Sequence, residues 1–219
     1  MTSRTLVCDK GSMNLFSHLD ENNNQTTYEL TFCLKSLNPD KINIENLLSY
    51  NIYELLEKIN NDLIEKITLL EVFDDSKVDI LILLKHIGKE TGLKQKYMLF
   101  RSCKKVDYEN DIITFENKDI SLLDNELASK YISLNKLNMI NIEPLIYNYG
   151  STIIKIHNID LEELSQNAEN KNIILDADFN ITYQILTNDN LPLFMKNTIG
   201  LMMKKIFYNL KQFIEKLNN

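Results

Sequence analysis

LFMKNTIGLMMKKIFYNLKQFIEKL, residues 193–217, is the stretch that decides the fold. Ile199, Met202, Met203, Ile206, Leu210, Phe213, Ile214 and Leu217 recur at three- and four-residue steps and form one apolar stripe. Lys196, Lys204, Lys205, Lys211 and Lys216 lie mostly outside it. Thr187-Asn188-Asp189-Asn190 offers capping side chains just upstream, and Pro192 suits a first helical turn. At about 1.5 Å per residue the helix is roughly 37 Å long, enough to cross a whole sheet.

Upstream of it the pattern is that of strands. Residues 173–186 predict a long last strand, preceded by an acidic, Asn-rich excursion over 161–172. Strands are predicted at 142–148 and 152–157, and before them at 67–73, 78–84, 96–106 and 112–115, separated by turn-rich segments. This is an antiparallel meander. Residues 117–141 are too long for an ordinary connection and read either as a lid or as a surface insertion. Residues 44–64 carry a helical pattern with a break near Tyr50-Asn51. Residues 26–34 alternate, with Tyr28, Leu30, Phe32 and Leu34 on one face. Residues 1–25 are polar and Asn-rich and are expected to be a mobile arm with a short helix at 15–19. Gly11-Ser12-Met13 reads either as a cloning scar or as native sequence. The folded domain is therefore expected over 26–219, as α+β with the helices on one face of an antiparallel sheet.

Composition narrows the function. Of 219 residues, 44% are hydrophobic and 25% charged, which is ordinary for a globular chain. The net charge of −7 comes without a dominant basic patch, so nucleic acid is not an expected partner. Cys8, Cys33 and Cys103 are odd in number and form no CxxC, which suggests reduced thiols in a cytoplasmic location. No apolar run approaches the ~18 residues of a membrane span, and the N-terminus lacks a secretory signal core.

The motifs of catalysis are missing. Neither GxGxxG, a P-loop nor GxSxG occurs. His18, His86 and His157 are isolated from other metal-ligating residues, so no metal or cofactor is expected. Asp176 and Asp178 share a strand face but read better as solvated residues than as an acid/base pair. Cys103 reads as a structural thiol, since a nucleophile needs a base beside it. No catalytic residue is assigned.

Four segments carry a resemblance. Tyr97-Met98-Leu99-Phe100-Arg101-Ser102-Cys103-Lys104-Lys105 is an apolar run leading to an arginine and then to a cysteine- and lysine-containing strand end. Tyr149-Gly150-Ser151-Thr152-Ile153-Ile154-Lys155-Ile156 follows a glycine turn, and Asn190-Leu191-Pro192 opens the last helix. Residues 69–75 and 78–84 are the paired strands before the arginine strand. Together, over about 69–217, they resemble the START (StAR-related lipid-transfer) domains.

The resemblance implies a helix-grip fold: a curved antiparallel sheet around the C-terminal helix, with a tunnel between them for one lipid of sterol, phospholipid or sphingolipid class. It implies a non-enzymatic monomer that carries or senses lipid. Arg101 is implied to line the tunnel, sharing a strand face with Tyr97 and Leu99; the alternative is that it points outward, exposed at a strand edge. Phe115, Met195, Ile199, Met202, Met203 and Ile206 complete the expected lipid-binding set. The family pattern has an acid on a preceding strand as the arginine's partner. Residues 80–84 contain none, and Asp79 and Glu90 are the nearest candidates without fitting well. Residues 117–141 take the place of the family's gate loop. The lysine face of the last helix reads either as a transient membrane contact or as a solvated face. The alternatives are a helix-grip module that binds protein instead of lipid, resembling an Hsp90 activator or an adaptor, and, last, a cyclase- or hydroxylase-like enzyme.

Overall fold

The alternation over residues 26–34 folds as it predicts. Strand β3 (Gln25–Leu37) buries Tyr28, Leu30, Phe32 and Leu34 on one face, since successive strand side chains point to opposite sides. The computed structural model describes residues 4–20, 25–86, 94–166, 174–186 and 193–218. In it, β3 lies within a sheet whose other strands are β1 (Arg4–Cys8), β2 (Met13–Asp20), β4 (Ile64–Asp74), β5 (Lys77–Leu84), β6 (Gln95–Asp107), β7 (Ile112–Asp119), β8 (Ile142–Pro144), β9 (Tyr147–His157) and β10 (Leu175–Leu186). The order is β1-β2-β3-β10-β9-β7-β6-β5-β4, each neighbouring pair antiparallel, with β8 parallel to β6. The core joins its middle strands: Phe32 of β3 stacks on Phe179 of β10 with ring centroids 4.8 Å apart.

The N-terminal residues are not an arm. β1 pairs with β2 and β2 with β3, so the folded unit already includes residue 4. The expected helix at 15–19 is a strand. Leu15 and Leu19 are four apart, but Met13 and Leu15 alternate, and both are fully buried. Gly11 (φ 72°) and Ser12 (φ 54°) turn the β1–β2 hairpin. A Cβ on Gly11 would stand 2.4 Å from the Tyr208 ring, so the glycine has a structural reason.

The predicted break at Tyr50-Asn51 separates α1 (Ile44–Leu47) from α2 (Ile52–Ile59). Asn43 caps α1 by accepting from the Asn46 backbone N–H at 2.9 Å. Residues 117–141 form α3 (Ile120–Leu123) and α4 (Asn125–Leu134), capped by Asp119 and Asp124. A further short helix, α5 (Leu161–Gln166), precedes β10. Helix α6 (Leu193–Asn218) has the extent the apolar stripe predicts. The capping residues 187–190, Pro192 and the Asn190-Leu191-Pro192 motif lie outside the described residues.

The orientation of α6 corrects the lysine reading. Lys196, Lys204 and Lys211 are buried, spaced eight and seven residues apart on the face toward β1–β3. Lys204 Nζ donates to the Met13 carbonyl at 2.8 Å, and Lys211 Nζ donates to the Cys33 carbonyl at 2.9 Å. The hydroxyl of Tyr28 donates to the Lys196 carbonyl. Gly200 lets the helix approach this closely, since a Cβ there would stand 2.6 Å from the Tyr28 ring. Long lysine stems cover apolar surface while their ammonium groups take backbone carbonyls. Three of the five lysines are therefore not on a free face, whereas Phe213 and Leu217 are partly exposed.

Candidate lipid-binding cavity

The half of the sheet away from these anchors holds a cavity. Its walls come from α1 and α2 (Leu47, Ile52, Tyr53, Leu56), β4 and β5 (Ile64, Ile67, Ile82, Leu84), β6 and β7 (Met98, Phe100, Phe115), β9 and β10 (Thr152, Ile154, Phe179, Tyr183), and α6 (Met203, Ile206, Phe207). Its volume is about 90 Å³. At about 24 cal/mol per Å³ such a void costs roughly 2 kcal/mol, which a domain stable by about 5–15 kcal/mol tolerates. Among the described residues, the polar side-chain groups on the wall are the hydroxyls of Tyr53, Thr152 and Tyr183. Burial pushes the Tyr183 phenol up to about 12 and holds that of Tyr53 well above its usual value, so both are neutral donors at physiological pH.

The expected site residues divide. Phe115, Met203 and Ile206 line the cavity. Met202, with Ile206, packs against Leu63, Ile64 and Leu84 at its margin. Ile199 packs on the main core. The side chain of Met195 lies outside the described residues. Tyr97, Leu99 and Arg101 are on the opposite face of β6, which corrects the placement expected for them. Met98 and Phe100 point into the cavity, so the intervening residues must point away. Tyr97 and Leu99 pack instead with Leu81 against Ile120, Ala128 and Tyr131 of α3 and α4. Of the two readings of residues 117–141, lid and surface insertion, the packing of α3 and α4 on the outer face fits the insertion.

Of the two acids named as nearest candidates, Asp79 is the partner of Arg101. Asp79 and Arg101 stand directly opposite each other across β5 and β6. Arg101 Nε and Nη2 donate to the two carboxylate oxygens of Asp79 at 2.7 and 2.8 Å. Asp79 is fully buried and Arg101 about a quarter exposed. The guanidinium also lies over the Phe73 ring, 4.9 Å from its centroid. The hydrogen-bonded Asp79 carboxylate raises the Arg101 pKa above its ordinary value. The Tyr131 hydroxyl sits 3.0 Å from Asp79 Oδ2 and 2.7 Å from Glu71 Oε2. With one proton, it can donate fully to only one of them. Arg101, Asp79, Tyr131 and Glu71 thus fasten α4 to the outer face of the sheet, away from the cavity.

Reasoning from sequence missed Ile82, Met98, Phe100, Phe179, Tyr183 and Phe207 on the cavity wall. The available signal was the alternate set of β6, Met98 and Phe100, but it is no more apolar than Tyr97 and Leu99. Elsewhere the chemistry is sparse. Among the described residues, no three His, Cys, Asp or Glu side chains are grouped to hold a metal ion, and no helix is long and apolar enough to cross a membrane. His157 Nε2 lies 2.9 Å from Asp178 Oδ2 in an exposed pair on β9 and β10.

No family model and no curated protein matches the sequence. Solved structures do match the fold. The human StarD13 (DLC2) lipid transfer and protein localization domain superposes with a TM-score of 0.63 at 6% identity, covering 97% of this chain and 89% of that one. Human StAR-related lipid transfer protein 5 gives 0.62 at 6% identity, covering 100% and 88%. A StAR-related lipid transfer protein from Xanthomonas axonopodis gives 0.54 at 11% identity, covering 99% of each chain. An antiparallel sheet with a long C-terminal helix across it, matched over nearly its whole length by these structures, gives this chain the α+β helix-grip fold of the StAR-related lipid-transfer domains.

Proposed function

We propose that the chain binds a single lipid between α6 and the inner face of its sheet and carries or senses it without catalysis, in a cytoplasmic setting. The observation that carries this reading is the cavity itself, which is lined mostly by apolar side chains and lies between α6 and the sheet. The solved structures that share the fold include proteins described as lipid transfer domains. A protein built only for packing has no use for a void that costs stability.

At about 90 Å³ the cavity is smaller than the roughly 150 Å³ void that takes benzene in an engineered lysozyme. A lipid therefore enters by displacing α1–α2 or the part of α6 around Met203–Phe207. Polar anchors hold α6 over β1–β3, and on the cavity side Asn60 Nδ2 donates to the Ile206 carbonyl at 3.3 Å, a contact that such a displacement breaks. Met98 and Met203 on the wall have the flexible side chains that such repacking needs.

The small volume also favours a second reading, a helix-grip module whose core is nearly filled and whose partner is a protein. Native mass spectrometry of the purified protein, followed by lipid extraction, separates the two. A stoichiometric lipid adduct is expected. A clean apo mass, with no uptake from liposomes, would replace the first reading with the second.

A further inference from the structure

Where α6 crosses β1–β3, Cys8 and Lys204 meet at the end of the edge strand β1. The register of β1 shifts between Leu6 and Cys8: Leu6 stands opposite Phe16 of β2, and Cys8 opposite the fully buried Leu15. This bulge takes Cys8 off the face of Leu6, which is exposed, and onto the face that packs on α6. Lys204 Nζ lies 3.1 Å from Cys8 Sγ and donates to the Met13 carbonyl at 2.8 Å. Lys204 is only 6% exposed, yet it forms no ion pair with a carboxylate among the described residues. Cys8 is half-buried at a sheet edge, where small solutes reach it.

A buried ammonium is costly unless an anion faces it, and here the sulfur is the group that can become one. The Lys10 backbone N–H and then the Lys204 ammonium hold the Cys8 thiol below its ordinary value, with burial and the exposed Asp9 opposing them. A thiolate in such an accessible, electropositive setting is the form that peroxides oxidise. The sulfur attacks one peroxide oxygen and the O–O bond breaks. Sulfur is oxidised by two electrons to a sulfenic acid. The departing hydroxide takes a proton from the Lys204 ammonium and leaves as water, so the amine becomes neutral. A sulfenic acid condenses with a thiol or a nitrogen in reach. Cys33 and Cys103 are on the other face of the sheet: Cys33 alternates with the buried Phe32 and Leu34, and Cys103 shares the outer face of β6 with Arg101. The Lys204 amine is already in contact. Its lone pair attacks Sγ, the S–O bond breaks, and hydroxide leaves with a proton from the nitrogen. One thiolate, one ammonium and one hydrogen peroxide thus yield one S–N bond and two waters.

We propose that Cys8 and Lys204 form a peroxide-responsive modification site, at which oxidation joins β1 to α6 through a sulfur–nitrogen bond. The site is independent of what the cavity holds. The test exposes the full chain to hydrogen peroxide at neutral pH and maps its peptides by mass spectrometry. The expected product is a linked pair of peptides carrying Cys8 and Lys204, lighter by two hydrogen atoms than their sum and parted by dithiothreitol. Cys8 should be consumed about tenfold faster than Cys33, whose thiol burial pushes up to about 11. The link closes a loop between residues 196 positions apart, so the urea midpoint of the oxidised protein should rise and return on reduction. In Lys204→Met the link should vanish and Cys8 should run on to the sulfinic acid. Oxidation of Cys8 in the unmodified protein to the sulfinic acid alone, a disulfide from Cys8 to another cysteine, or a rate no greater than that of Cys33 overturns the proposal. The peptide map of the unmodified protein decides the matter even where Lys204→Met fails to fold.

Discussion

Strand β6 has two faces of nearly equal hydrophobicity and opposite use. Met98 and Phe100 face an uncharged cavity. Tyr97, Leu99 and Arg101 face α3 and α4, where a buried Asp79–Arg101 pair and the Tyr131 hydroxyl tie the insertion down. The difference shows where a buried charge is tolerable. On the outer face the carboxylate has two guanidinium donors and a phenol, which offset the loss of water. On the inner face the cavity wall carries no charged side chain among the described residues, and the cation on that face of β6, Lys104, lies over the Phe115 ring.

The largest effect expected from breaking this contrast is on the inner side. Phe100→Ala removes a buried ring from the cavity wall and should cost about 3–5 kcal/mol by denaturant unfolding. If the enlarged chamber takes lipid, bound lipid should restore part of that loss. A cost below about 1 kcal/mol would mean that Phe100 does not support the wall. Arg101→Leu acts on the other face. It leaves Asp79 buried without its cation and should cost about 2–3 kcal/mol, somewhat less than for a fully buried pair because Arg101 is partly exposed. Lipid head-group preference should not move. A shift in that preference in the folded variant would place Arg101 back in the ligand site.

The smallest effect concerns pH. Burial raises the Asp119 carboxyl above its usual value, against the hydrogen bonds from Ser121 that lower it. The folded state therefore holds this proton more tightly than the unfolded state. Its contribution to stability is fully present below the unfolded carboxyl pKa of about 4 and is lost as pH rises through the higher folded value. Asp119→Asn keeps an N-cap for α3 and should flatten that segment of the stability–pH curve, measured as the urea midpoint at a series of pH values. An unchanged slope would show that Asp119 carries no such linkage.

The parts of the fold that could be read from sequence share one property: each buries one face and exposes the other. β3 alternates, α6 carries its stripe, and the Tyr50-Asn51 break stands between two short helices. β6 could not be read in this way. A strand covered on both faces has no alternation, so its sequence does not say which set of side chains meets which layer. The expectation for Tyr97 and Leu99 rests on the face they share with Arg101, which the resemblance places in the tunnel, and nothing in the alternation of β6 points instead to Met98 and Phe100. The partner of Arg101 could be named but not chosen from sequence, for a related reason. Asp79 lies one residue before the stretch 80–84 where the family pattern puts the acid, and only the strand register sets it opposite the arginine. The N-terminal strands were hidden by composition, because Met13 and Leu15 sit among polar residues whose hydrogen bonds are made with β3.

The sequence by itself determined the class: an antiparallel meander, a long terminal helix, no catalytic or metal-binding motif, and a length of helix able to cross the sheet. These follow from periodicity and residue chemistry, which are local. Tertiary structure alone decided that Lys196, Lys204 and Lys211 face β1–β3, that residues 120–134 cover the outer face, and that the cavity is closed by the even-numbered residues of β6. Those outcomes depend on which backbone carbonyls and which apolar surfaces meet across distant segments. A lysine is solvated or buried according to what stands opposite it, and that partner is supplied by the fold.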